Sequence, residues 1–128
     1  MQTSRKFPVI AAAFGLTGIA LGAFGAHYLK SAISVEMLSV FETGVRYQMY
    51  HCFALFVVAW SLQSKRSRKL QYAGWSFVAG VVLFSGSLYT LALTGIRIFG
   101  IITPFGGLSL IAGWLMLGLG FWEKEPLL

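Results

Sequence analysis

The sequence predicts an all-α membrane protein, an antiparallel four-helix transmembrane bundle with a short interfacial amphipathic helix between the first and second spans. Three observations predict it. Hydrophobic residues make up 57% of the chain and charged residues 11%, less than half the charge with which a soluble domain covers its surface. Asp and Asn, the residues most used to turn water-exposed chain, do not occur. The apolar residues also gather into runs long enough to cross a hydrocarbon layer of about 30 Å, with short connections between them. A length of 128 residues fits one transmembrane domain, 1–128.

The first span, 8–27, follows a short tail carrying Arg5 and Lys6. A basic start before an apolar run also resembles a secretory signal, with AFGA (23–26) as a cleavage region. The run is longer than a signal core, however, and its glycines are patterned. Gly15, Gly18, Gly22 and Gly25 fall at steps of three, four and three, on one helical face. Gly18 and Gly22 form a GxxxG, the spacing that lets two membrane helices approach closely. The segment reads as a retained span.

Next comes an amphipathic stretch, 34–43. Val35, Leu38 and Phe41 recur at helical spacing, Glu36 and Glu42 lie off that stripe, and Ser34 is a natural N-cap. One straight helix over 34–64 would be about 45 Å long, too long for an upright span. The expectation is therefore an interfacial helix, a bend near Thr43 and Gly44, and a second span over 45–62. The turn KRSRK (65–69) leads to a third span, 70–94, closed by Gly95 as a C′ residue. Arg97 lies in the last connection. Thr103 as N-cap and Pro104 at N1 open the fourth span, 104–122.

Small residues recur along the third and fourth spans as well, with Gly80 in one and Gly106, Gly113 and Gly120 at seven-residue steps in the other. Association in lipid rests on close contact and interhelical hydrogen bonds, so these glycines are expected to be packing positions. Four spans put both termini and KRSRK on one side. That side carries Arg5, Lys6, Lys65, Arg66, Arg68, Lys69 and Lys124, against Lys30, Arg46 and Arg97 on the other. The excess places both termini in the cytoplasm. Trp60, Tyr72, Trp75 and Trp122 then mark the inner boundary, and Tyr28, Tyr47, Tyr50 and Tyr89 the outer. Trp114 lies mid-span and reads as a packing residue.

The remaining polar residues converge on the outer end: His27, Glu42, Arg46, Gln48, His51, Ser85, Ser87, Tyr89 and Arg97. Glu42 and Arg46 have the spacing and order of a helical ion pair. Polar groups at membrane depth serve either as glue between helices or as a ligand, proton or ion site. Histidine titrates near neutral pH, which suits the second use. His27 and His51 also raise bis-histidine haem or a metal, but His51 lies deeper and no further ligands are supplied. No cofactor, metal or catalytic residue is assigned. GxSxG and HExxH do not occur, and Ser85-Gly86-Ser87 sits inside a span rather than after a strand. Cys52, the single cysteine, reads as an inert buried thiol. The net charge of +6 is spent at span ends, so nucleic acid is not an expected partner; KRSRK instead suits lipid headgroups.

The pieces GAFGAH (22–27), TGVRYQMYH (43–51), LFSGSLY (83–89), TPFGG (103–107) and AGW (112–114) together resemble the YgdD/YwdK-like family of small integral membrane proteins, a domain of unknown function. They occur in that family's order and spacing and cover nearly the whole chain. The resemblance implies a multi-pass protein of the bacterial inner (plasma) membrane, and eukaryotic relatives look similar. It implies no activity, substrate or cofactor.

The sequence thus points to a structural or accessory membrane component, not an enzyme, whose partners are the bilayer and either a second copy or another membrane protein. The alternative is a small-solute or ion permease working through the outer polar cluster. A GxxxG face left exposed on the bundle would favour the first, and a water-filled cavity reaching His51 the second.

Overall fold

The structure is a computed structural model, and it describes residues 2–124. Four long helices carry the fold: α1 (Gln2–Phe24), α2 (Val35–Ser64), α3 (Arg68–Thr94) and α4 (Thr103–Trp122). The described residues contain no strand. By length and composition, three helical segments are apolar enough to cross a membrane: Arg5–Ala32, Arg68–Thr94 and Arg97–Trp122. Helix α2, with Glu42, Arg46, Gln48 and His51 in its N-terminal half, falls outside that set.

Each helix packs against its neighbour in sequence, α1 on α2, α2 on α3 and α3 on α4. The contacts run in opposite directions along each pair. Gly15, Gly18 and Gly22 of α1, and Gly25 just after it, meet Cys52, Met49, Val45 and Phe41 of α2 in descending order. Gly80, Gly106, Gly113 and Gly120 join α3 to α4 in the same antiparallel sense. At Gly106 a β-carbon would fall on the backbone of Leu83 and Phe84, so here two helix backbones are in direct contact. Phe7 of α1 reaches α3, lying over Gly74 and edge-on to Trp75 with centroids 5.1 Å apart. The main core draws on all four helices, with Phe7, Leu55, Val58, Leu70 and Phe77 fully buried. A smaller one, around Leu29, Phe41 and Ala92, closes the opposite end.

The local signals act as elementary chemistry dictates at two boundaries. Ser34 caps α2, accepting from the Met37 amide at 3.1 Å. Gly95 takes the left-handed conformation, φ 69°, that ends α3, and its amide bonds to the Leu91 carbonyl at 2.8 Å.

Other boundaries differ from expectation. Helix α1 extends back to Gln2, so Pro8 lies inside it. After Phe24 it widens into a π turn, Gly25–Leu29, followed by a last turn, Lys30–Ala32. With more residues per turn, Gly25 and Leu29 share one buried line. No separate interfacial helix covers 34–43, because α2 is continuous through Thr43 and Gly44. Gly44 is not a helix breaker. Its missing side chain lets Tyr89 approach to 2.7 Å of where a β-carbon would sit. Thr103 also does not cap α4. It lies in the first turn, after a 3-10 segment, Arg97–Ile101, and its hydroxyl is committed to Ser87.

Candidate functional site

The polar residues singled out from the sequence separate into two groups. Gln48, His51, Ser85 and Ser87 are buried, and Tyr89 is half-buried. His27, Glu42, Arg46 and Arg97 are exposed around them. The expected Glu42–Arg46 ion pair is not formed. Arg46 turns back one helical step to donate to the Thr43 hydroxyl at 3.0 Å. An exposed pair gains only a few tenths of a kcal/mol, too little to hold two long side chains against a nearby hydroxyl.

Gln48 is the centre of the buried group. Its amide nitrogen donates to the Phe14 carbonyl at 2.9 Å and to the Thr17 hydroxyl at 2.8 Å. Its amide oxygen accepts from the Tyr89 hydroxyl at 2.7 Å. One side chain of α2 therefore ties α1 to α3. A turn away the Ser85 hydroxyl donates to the Gly44 carbonyl at 2.6 Å, a second link from α3 to α2. Ser87 and Thr103 share a 2.7 Å hydrogen bond between α3 and α4. Deeper, the Ser109 hydroxyl of α4 donates to the Ser76 carbonyl of α3 at 2.8 Å.

His51 joins α2 to α4. The Trp114 indole nitrogen, 3.0 Å away, can only donate, so His51 Nε2 must accept. The Tyr47 carbonyl, 2.6 Å from Nδ1, can only accept, so the ring proton sits on Nδ1. Both nitrogens are thus engaged in the neutral tautomer, and the one free lone pair, on Nε2, is taken by the Trp114 N–H. Phe77 and Trp114 pack on the ring with centroids 5.5 and 5.9 Å away. His27, exposed on the π turn, does not join it.

Every buried side-chain nitrogen and oxygen among the described residues has a hydrogen-bond partner within the protein. Trp114 and Thr17 complete this network, and sequence reasoning missed both. Trp114 was readable as packing because indole is mostly apolar; its single N–H was the available signal. The opposite end of the bundle holds a further unforeseen link. Lys65 Nζ donates to the carbonyls of Gly120, at 2.9 Å, and Glu123, capping the negative end of α4. Ser67 Oγ and Lys69 Nζ hold the two Glu123 carboxylate oxygens at 2.7 and 3.0 Å. These contacts hold the Glu123 carboxyl below its ordinary range, the Ser67 hydroxyl contributing most.

Residues 21–107 match the family described as protein of unknown function (DUF423). The chain belongs to that family. Relatives match over most of their length and are named as membrane proteins. The UPF0382 membrane protein SH2409 of Staphylococcus haemolyticus is 49% identical over 88% of this chain and 92% of its own. The UPF0382 membrane protein YwdK of Bacillus subtilis is 49% identical over 88% and 93%. The UPF0382 inner membrane protein YgdD of Escherichia coli K12 is 39% identical over 93% and 91%. No solved structure matches. This DUF423 chain is accordingly a helical membrane protein of a family without an assigned activity, and the bilayer is its surroundings. The segment matching the family runs from the glycine-rich end of α1 to the first turn of α4. It holds Gln48, His51, Ser85, Ser87 and Tyr89, and the Lys65, Ser67 and Lys69 side of the clamp, while Thr17, Trp114 and Glu123 lie outside it.

Proposed function

We propose that this protein is a structural or accessory component of the bacterial inner membrane, crossing it four times with both termini in the cytoplasm. The observation that carries this reading is the complete internal pairing of the buried polar side chains among the described residues. A binding or conducting site keeps polar atoms facing a void or a ligand, whereas here they bind other helices. Gln48, His51, Ser85, Ser87 and Tyr89 act as interhelical glue.

Helix α2 counts as the fourth crossing on packing grounds. It lies between α1 and α3, so Gln48 and His51 face protein rather than lipid and avoid the penalty that makes such a segment too polar alone. Antiparallel packing puts the start of α1 and the end of α4 beside the KRSRK turn, and seven basic residues against three favour the cytoplasm for that side. The glycine face of α1, GxxxG included, is used against α2, so a protein partner or second copy would have to meet another surface.

Purification from native membranes, with identification of co-purifying proteins, tests the role. A stoichiometric membrane-protein partner is expected. Solute or ion flux into vesicles containing the pure protein, above that of empty vesicles, would overturn it. Reporter fusions at the KRSRK turn and the C-terminus should both read as cytoplasmic.

A further inference from the structure

One surface feature is not absorbed by the helix-joining network. Between α3 and α4, on their outer side, runs an open groove of about 440 Å³, walled by Tyr72, Trp75 and Ala79 of α3 and by Ala112 and Met116 of α4. Its lining is almost entirely apolar, and the Ser109 hydroxyl that borders it is already spent on the Ser76 carbonyl. At its mouth, one helical turn before Tyr72 on the same face, stands Arg68. Arg66 lies in the adjoining turn. Lys65 and Lys69 are engaged with the end of α4, but Arg66 and Arg68 are exposed and take no ion-pair partner among the described residues. Tyr72 and Trp75, at 60% and 42% exposure, are amphipathic rings of the kind that settle at headgroup level.

The geometry points to a binding site for one anionic phospholipid, its phosphate held by Arg68 with Arg66 beside it and one acyl chain lying in the α3–α4 groove. Charge selects the headgroup. Two arginines and, among the described residues, a single nearby carboxylate, itself clamped by Ser67 and Lys69, leave a positive mouth that favours a net negative lipid over a zwitterionic one. Guanidinium matches phosphate bidentately. Shape selects the chain. The volume lies in the range of sites for small molecules, about 300–1,000 Å³, yet the groove is open along its length, as a lipid tail entering from the bilayer requires. Small Ala79 and Ala112 leave the trough, and the rings of Tyr72 and Trp75 stand at its headgroup end. This needs only that the helices lie in a bilayer; it does not depend on which side KRSRK faces or on an accessory role.

Native mass spectrometry of the full chain in detergent tests it, with dioleoyl phosphatidylglycerol and dioleoyl phosphatidylcholine as probes. One phosphatidylglycerol should be retained in preference to phosphatidylcholine. R68Q should weaken that retention about fivefold, the factor one arginine near a lipid surface supplies. K30Q, a basic residue at the other end, should leave it unchanged. A112W should fill the trough and abolish retention of the lipid while Arg68 remains; A79W is the second variant should the first fail to fold. Equal retention of the two lipids, equal loss in R68Q and K30Q, or full retention in a folded tryptophan variant would each overturn the assignment.

Discussion

Gln48→Leu tests whether the buried polar residues are glue. Leucine nearly matches glutamine in volume, so packing is kept while three interhelical hydrogen bonds are lost, to Phe14, Thr17 and Tyr89. Such bonds in membrane helices contribute roughly 0.6 to 1.7 kcal/mol each. The upper sum is not reached, because Thr17 retains its bond to the Ala13 carbonyl. The Tyr89 hydroxyl, by contrast, is stranded, and an unsatisfied half-buried donor costs about 1–3 kcal/mol. The expected destabilisation is about 2–4 kcal/mol. Tyr89→Phe removes one of the same bonds and leaves the buried Gln48 amide oxygen without its donor, so it should cost about 1–3 kcal/mol. Because the two side chains share a bond, the double variant should cost less than the sum, by roughly 0.5–1.5 kcal/mol. Unfolding of the purified protein by sodium dodecyl sulfate, followed by circular dichroism, measures all three. If Gln48→Leu stays within about 0.5 kcal/mol of the parent, or the two changes add, Gln48 does not hold the helices together and the structural reading fails.

Three further outcomes follow from the same geometry. Gly106→Ala should destabilise by about 1–3 kcal/mol, since its β-carbon meets backbone that cannot turn aside. Gly86→Ala, where nothing lies within 4 Å, should instead stabilise by about 0.5–1 kcal/mol through helix propensity; equal signs would refute the packing scheme. Nitrogen-15 NMR of labelled histidine should find His51 neutral at pH 7 with the proton on Nδ1, and a proton on Nε2 would contradict the Trp114 contact. Finally, the Ser67 hydroxyl and the Lys69 ammonium hold the Glu123 carboxyl below its ordinary value, so the clamp contributes stability above the ordinary carboxylate range and loses it as pH falls through the lowered value. Melting temperature should drop over that interval in the parent but not in Glu123→Gln, and matching profiles would exclude the clamp as the cause.

How much of this was legible beforehand depended on the range of the interaction. The helical content, the stop at Gly95 and the Ser34 cap rest on one residue and its immediate neighbours, so composition and spacing suffice. Positive charge beside apolar runs is likewise a property of the chain itself. The sequence also groups His27, Glu42, Arg46, Gln48, His51, Ser85, Ser87, Tyr89 and Arg97 as expected neighbours at one end of the bundle. It could not divide them into a buried ladder and an exposed rim, because that depends on which face each helix turns to its neighbour.

Tertiary structure alone decided the partners. Gly44 read as a helix break because glycine has no propensity to stay helical, yet α2 passes through it unbroken because Tyr89 occupies the space its side chain would need. Thr103 read as a cap, but Ser87 on another helix claims its hydroxyl. Trp114 lies 63 positions from His51, and no periodicity links residues that far apart. The sequence by itself determined that this chain would be helical and at home in lipid, since both follow from the solvation and local propensity of each segment. Which side chains satisfy one another was settled by the antiparallel register of four packed helices, where a rotation of one helix would exchange every pair.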